Sequence, residues 1–401
     1  MSHVDSAAPA PESLLHGPRV ALAPRAFTFV LIKFASRCNI QCTYCYWFRD
    51  AEVYKKPAVL TREAEDAFCA RLEEHIREFS LGQFLLVFHG GEPLLFPKHR
   101  FKAFIKKLRA IEDRTGCAIQ RGITTNGILI DEEWVELLKT HEVAVSISLD
   151  GPPEINDKYR VDFKGNGTLA QTLKGLECLR KGGVEPSLIS VCNPATDPEK
   201  VLAFVVNELG FTEFDILPPD ATHIDNPPPI ADYFIKLFDV WLDKYAARGV
   251  RIATLDAMIR GLVGKLSLSD TIGLGPIETV TLMTDGSLEP LDVLRITGDG
   301  ATASKLNVRS NAINDVRTDP IWRQAFEAST HLCDTCMSCE YLDSCGGGHL
   351  AQRWSRERRY DNPSVYCESW KRIFGHIWER ISPTLSVEIE TVGDQPTATA
   401  Q

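Results

Sequence analysis

The sequence predicts an α/β fold, a partial barrel of six β/α units followed by a small cysteine-rich module. Three observations lead there. Short apolar strands alternate with helix-like stretches from Phe27 onward, three cysteines stand directly after the first strand, and a second group of cysteines gathers past Leu332. Strands separated by helices of about a dozen residues pair in parallel, because a crossover needs that length.

The strands are predicted at residues 28–34, 84–89, 119–124, 143–149, 187–192 and 213–217. Between them a helix is expected over 62–79, with Thr61 placed to cap its first turn, and another over 100–114. In the second, Phe101, Phe104, Ile105 and Leu108 share one side. Six parallel repeats suit an open barrel whose active site lies at the C-terminal ends of the strands. After a helix over 233–247, the pattern changes to a hairpin of 280–283 and 288–296 turning at Asp285-Gly286. Past Leu332 the periodicity fades, as expected of a metal-stapled module. No solenoid-type repeat is present. The expected divisions are an arm over 1–25, the barrel over 26–235 and bridging helices with the hairpin over 236–330. The cysteine-rich module follows over 331–380, and a tail over 381–401 reads as disordered from about Val387.

The chain has 401 residues, 44% of them hydrophobic, and a net charge of −10. That charge argues against a nucleic-acid surface, which needs clustered Lys and Arg. No apolar run approaches the roughly 20 residues that span a bilayer, and no signal peptide opens the chain. A cytoplasmic protein is expected, with a small molecule or a peptide as partner. In a reducing compartment the 12 cysteines read as metal ligands or buried thiols. Cys69, Cys117, Cys178 and Cys192 stand singly and read as inert core thiols.

Cys38-Asn39-Ile40-Gln41-Cys42-Thr43-Tyr44-Cys45 brings three thiolates to one loop at the active-site end. Three thiolates can hold three irons of a four-iron cluster and leave the fourth open to a chelating ligand. A zinc knuckle with a distant fourth ligand is the alternative. The segment resembles the radical S-adenosylmethionine (SAM) superfamily, whose signature is this CxxxCxxC triplet with an aromatic residue, here Tyr44, before the last cysteine. The resemblance implies a partial (β/α)6 TIM-like barrel in which SAM binds the open iron of a [4Fe-4S] cluster. One electron from an external flavodoxin- or ferredoxin-type reductant then cleaves SAM to a 5′-deoxyadenosyl radical. Gly90-Gly91-Glu92-Pro93 looks like the family's GGEP motif, which implies that Gly90, Gly91 and Glu92 approach the SAM amino group. Ser148 and Asp150 resemble the ribose-contacting segment, Arg160 the partner of the SAM carboxylate, and Asn126 a weaker match after the third strand.

The later cysteines are Cys333, Cys336, Cys339, Cys345 and Cys367. Four soft thiolates suit either a tetrahedral zinc or a four-iron cluster, and spacing alone does not separate them. The run resembles the SPASM/twitch-type extension of peptide-modifying maturases. That likeness implies one auxiliary [4Fe-4S] cluster on Cys336, Cys339, Cys345 and Cys367, with Cys333 as an extra thiol that could substitute or lie idle. A second auxiliary cluster, usual in that family, lacks its cysteines, since Leu291 and His349 stand in their places. Asp292 aligns with the catalytic acid/base aspartate of the related sulfatase-maturating enzymes. Together with Cys-Gly-Gly-Gly and Asp-Asn-Pro-Ser-Val-Tyr-Cys, the loss looks most like maturases that build carbon–carbon cyclophanes in ribosomal (RiPP) precursor peptides. A sulfatase-type maturase making formylglycine is the alternative among enzymes. A non-catalytic iron–sulfur or zinc scaffold is the alternative outside them, though it would need neither Glu92 nor Ser148 and Asp150.

Overall fold

The computed structural model describes residues 26–267, 269 and 271–393. The arm expected over 1–25 lies outside the described residues, as does 394–401. The strands are β1 (Phe29–Ala35), β2 (Gln41–Cys42), β3 (Gln83–Gly90), β4 (Ala118–Thr125), β5 (Val143–Ser148), β6 (Arg160–Val161), β7 (Ser187–Val191), β8 (Glu213–Leu217), β9 (Arg251–Ile252), β10 (Val280–Leu282) and β11 (Leu288–Glu289). The α-helices are α1 (Arg62–Phe79), α2 (Lys98–Thr115), α3 (Glu132–Thr140), α4 (Pro153–Tyr159), α5 (Leu169–Lys181), α6 (Pro198–Leu202), α7 (Ala231–Lys244), α8 (Ala253–Leu262), α9 (Pro320–Thr330), α10 (Asp334–Met337), α11 (Leu342–Cys345) and α12 (Cys367–Gly393).

The six expected strands are β1, β3, β4, β5, β7 and β8, and they pair in that order, all parallel. The sheet continues at both ends. β9 joins β8, and the expected hairpin places β10 parallel to β1 with β11 antiparallel beyond it. Thr61 Oγ1 caps α1 by accepting from Ala64 N at 3.2 Å, a contact that satisfies one of the orphan donors of the first turn. Under the sheet, Phe34 stacks on Phe88 and Phe96 with ring centroids 4.5 Å apart in both pairs, and Phe104 meets it edge-on.

Strand periodicity builds the site. Successive side chains point to opposite faces, so Phe84, Leu86 and Phe88 of β3 go under the helices. Val87 and His89 turn the other way. The same phase turns Ser148, Ile189, Val191, Asp215 and Leu217 toward a common cavity of about 450 Å³ inside the barrel.

Two expectations need correction. The second hairpin strand ends at Glu289, not at residue 296, and Asp292–Thr297 forms a 3-10 turn instead. Pro290 follows immediately and cannot donate to the ladder, which stops the strand there. The expected boundary at 380/381 is crossed by α12, which stays helical to Gly393, so the stretch from Val387 to Gly393 is not structureless. Pro383 inside α12 removes one backbone N–H without ending the helix. The first half of α12 lies on α7, with Trp370 against Phe234 and ion pairs from Arg372 to Asp232 and from His376 to Asp239. Among the described residues no helix is long and apolar enough to cross a membrane.

Candidate active site

The loop after β1 carries Cys38, Cys42 and Cys45, and all three line the barrel cavity. It is fastened from two sides. Backbone pairing of β2 with β6 ties Cys42 to Arg160. On the other side Gly91 N donates to Ala35 O and Glu92 N to Arg37 O, each at 2.9 Å. What approaches Gly90 and Gly91 closely is the cysteine loop's own backbone: a Cβ on Gly90 would sit 2.1 Å from Ala35 O, and one on Gly91 2.3 Å from Arg37 O. Gly90 also has φ +143°, a conformation that side chains other than glycine's rarely adopt. Both glycines still line the cavity. We expect Gly91→Ala to lose about 1–3 kcal/mol of stability, the usual range for overpacking a tight site. Thermal melting of the iron-free protein measures this, with Gly82→Ala, which has nothing within 4 Å, as the control that does not shift.

Glu92 differs from expectation in a related way. It is fully buried, and its carboxylate accepts from Leu94 N, Thr125 Oγ1 and Asn126 N at 2.9, 2.7 and 2.9 Å. It does not line the cavity. Its role in the structure is to join the ends of β3 and β4. Asn126 gains by this arrangement. Its side-chain amide donates to Asn39 Oδ1 at 2.7 Å and reaches Cys38 Sγ at 3.8 Å, which brings the third-strand motif against the cysteine loop.

Ser148 and Asp150 stand at the end of β5 on the cavity wall. Tyr44 donates its hydroxyl to Asp150 Oδ2 at 2.5 Å and accepts from Arg160 Nη1 at 2.8 Å. The residue before the last cysteine thus links the two charged residues of the wall. Asp150 Oδ1 also accepts from Val191 N at 3.1 Å.

Burial raises all three thiols. It acts together with the Glu92 carboxylate to push Cys38 up to about 12, and it pushes Cys45 up to about 11. Such thiols keep their protons until a metal displaces them, since a coordinating thiol is deprotonated outright. A three-cysteine loop walled by Asn126, Ser148, Asp150 and Arg160, inside a cavity of small-molecule size, fits a SAM-binding iron–sulfur cluster. Among the described residues no three His, Cys, Asp or Glu side chains converge tightly enough to share one metal ion.

The opposite wall carries a buried ionic group. Lys33 of β1, wholly buried, donates to Asp292 Oδ2, and its ammonium also lies 3.1 Å from His89 Nδ1. Tyr46 donates to the same Oδ2 at 2.6 Å, and the Lys33 ammonium stands 4.6 Å from the centre of the Trp47 ring. Burial alone would raise Asp292, but the Lys33 charge and the two hydrogen bonds overcome it and hold the carboxyl well below its usual range. Burial lowers Lys33, with Asp292 pulling in the opposite sense. His89 falls to about 3, through burial and the Lys33 charge, and is neutral. Asp292 opens the turn after β11 rather than lying on the hairpin strand as expected. That turn is held by Arg295, which donates to Asp292 O, Asp50 Oδ2 and Glu289 Oε2 at 2.9, 2.9 and 3.0 Å.

Residues 32–202 match the model of the radical SAM superfamily. The chain carries a radical SAM domain. Its cofactors are SAM and a [4Fe-4S] cluster, and the cavity of this chain presents Cys38, Cys42 and Cys45 together. Beyond the domain, the chain is 26% identical over 367 residues to the cysteine-type anaerobic sulfatase-maturating enzyme of Clostridium perfringens (strain 13 / Type A), a match covering 88% of this chain and 96% of that protein. The serine-type anaerobic sulfatase-maturating enzyme of Bacteroides thetaiotaomicron is 32% identical over 170 residues, 41% of this chain and 39% of that one. In fold the chain is similar to native anSMEcpe with bound AdoMet and Cp18Cys peptide. The TM-score is 0.76 at 24% identity, with 89% of this chain and 98% of that one covered.

Neither Lys33 nor His89 belongs to a motif. One signal was available: Lys33 is the only charge in the apolar run Phe29–Ala35, and a lysine in a strand buried on both faces needs a partner. His349, which stands in the place of a missing cluster cysteine, lines the cavity from the cysteine-rich side together with Gln352, a residue with no pattern in the sequence.

Proposed function

We propose that the chain is a radical SAM maturase that oxidises a Cys or Ser side chain of a peptide or protein substrate to formylglycine. The single observation that supports this best is the Lys33–Asp292–Tyr46 group beside Cys45, in the cavity that Cys38, Cys42 and Cys45 line. SAM bound there supplies, after one-electron cleavage, a carbon radical that removes one hydrogen atom from the substrate. The second oxidation step then has to shed a proton and an electron; from Ser this gives the aldehyde directly, and from Cys a thioaldehyde that water hydrolyses with release of hydrogen sulfide. Asp292 is the proton acceptor in this reading. It is ionised before the reaction begins, and a carboxylate in place contributes typically 10²–10⁴-fold as a general base. Removing a hydrogen atom acidifies the remaining radical strongly, so a carboxylate of depressed proton affinity suffices. Lys33 keeps the charge fixed and aimed into the cavity. Arg160, Tyr44, Asp150, Ser148 and Asn126 orient SAM from the other side.

Cys336, Cys339, Cys345 and Cys367 line one small pocket, and they would hold an auxiliary [4Fe-4S] cluster able to accept the electron. The outside partners are the substrate and a flavodoxin- or ferredoxin-type reductant. The near full-length likeness to sulfatase-maturating enzymes supports formylglycine over a cyclophane cross-link. One observation favours the cyclophane reading, namely Leu291 and His349 in place of the cysteines of a second auxiliary cluster.

The test incubates the anaerobically reconstituted enzyme, SAM and a reductant with peptides bearing the sulfatase-type Cys or Ser. A new aldehyde that reacts with a hydrazide probe is the expected product. A peptide that loses two hydrogens without gaining a hydrazide-reactive group is cross-linked instead, and would overturn the formylglycine reading.

A further inference from the structure

We infer that Cys333 is a reserve ligand of the auxiliary cluster, able to take over the iron that Cys336 holds. The inference rests on the auxiliary-cluster reading given above. Two overlapping CxxC segments share Cys336: residues 333–336 and residues 336–339. Cys333 caps the short helix α10, and Cys336 N donates back to Cys333 O at 2.9 Å, so the two side chains emerge from one helical turn. Their sulfurs are 3.6 Å apart, and both residues are buried. Two thiolates on one tetrahedral metal, each at about 2.3 Å, stand about 3.8 Å apart. The pair therefore already has the separation of two ligands on a single metal atom.

The position of Cys333 makes it the spare of the two. Cys336, Cys339, Cys345 and Cys367 line the small pocket, whereas Cys333 touches Cys336 but does not line it. The segment is also anchored. Arg353, buried, donates to Ala328 O, His331 O and Tyr360 O at 2.7, 3.1 and 2.9 Å, which fixes the chain just before Cys333. Leu332 packs against Gly347, where a Cβ would come within 3.0 Å of its side chain. A thiol held this firmly beside a ligand needs only a side-chain rotation to replace it. In the exchange the iron's bond to Cys336 Sγ breaks as its bond to Cys333 Sγ forms. The proton passes from Cys333 to Cys336 along the existing sulfur–sulfur contact, and no oxidation state changes.

The experiment uses the full chain in which Cys38, Cys42 and Cys45 are all replaced by Ala, so that only the auxiliary site can load. Iron and sulfide are counted after anaerobic reconstitution, and the reduced cluster is examined by electron paramagnetic resonance. The parent is expected to hold about four irons. Adding Cys333→Ala leaves that number and the spectrum unchanged. Adding Cys336→Ala leaves about four irons with a shifted spectrum. Only Cys333→Ala and Cys336→Ala together lose the cluster. Cys339→Ala, which removes a ligand outside the Cys333–Cys336 pair, loses it alone and serves as the control for a ligand without a spare. If Cys336→Ala alone empties the site, Cys333 cannot substitute and the inference fails. It fails equally if Cys333→Ala alone empties the site, because Cys333 is then an obligate ligand, or if the double variant keeps its irons. A parent that binds one zinc in place of about four irons refutes the auxiliary-cluster reading itself, an outcome separate from the others.

Discussion

Replacing Cys38, Cys42 and Cys45 together by Ala is expected to reduce 5′-deoxyadenosine formation to the uncatalysed background, while the irons at the later cysteines remain. The two ligand sets belong to different parts of the fold. The first hangs from the end of β1 and is fastened to β3 and β6 by backbone hydrogen bonds, and none of its members lines the pocket shared by Cys336, Cys339, Cys345 and Cys367. The fastening is backbone pairing, so it survives loss of the side chains. The measurement pairs chromatographic detection of 5′-deoxyadenosine under strong reductant with an iron count. Persistent SAM cleavage by the triple variant would place the reactive cluster elsewhere and remove the basis for the functional reading.

Asp292→Asn is expected to separate the two halves of the reaction. The amide has nearly the shape of the carboxylate but cannot accept a proton at neutral pH. The variant should still form 5′-deoxyadenosine, because Asp292 shares no hydrogen bond with Asn126, Asp150 or Arg160. Modified peptide should fall by about 10²–10⁴-fold, the typical contribution of a placed general base. Stability should fall too, since removing one partner of a buried ion pair costs about 3–5 kcal/mol when the other stays charged. Lys33, already depressed by burial, relieves part of that by giving up its proton. The double variant Lys33→Met/Asp292→Asn should therefore recover most of the stability and none of the peptide modification. Asp292 is held below its unfolded value, so its stabilising contribution is present above the ordinary carboxylate range and is lost only as pH falls toward its folded value. Full peptide modification by Asp292→Asn would leave Asp292 a structural residue, and the proton would need another acceptor.

The sequence made the frame legible where a signal was strong and local. α1 falls on its expected residues because Thr61 caps an unbroken amphipathic run, and β8 because its apolar residues are bounded on both sides. The cysteine loop was legible for a similar reason, its spacing and its place after β1 being properties of a short segment. What depended on distant partners was not. The hydrogen bonds of Glu92 to Thr125 and Asn126 join two strands and are not visible in the sequence around it. Asp292 was found, yet its setting was misread, because Pro290 ends the strand two residues earlier. Lys33 and His89 were missed, since their meaning lies in a contact between β1, β3 and a turn more than 200 residues away.

The fastening of the cysteine loop bears on how the enzyme acquires its metal. Many metal sites are assembled by the metal itself, so that the free energy of binding is also the free energy of ordering the chain. Here Gly90, Gly91 and β6 hold the loop by backbone contacts, and the Asn126 amide holds Asn39. Its conformational entropy is surrendered when the barrel folds, at about 1–2 kcal/mol per residue, and not again when iron arrives. Under the proposed function, a loop tied to the barrel in this way would leave less of the chain for the first cluster to order.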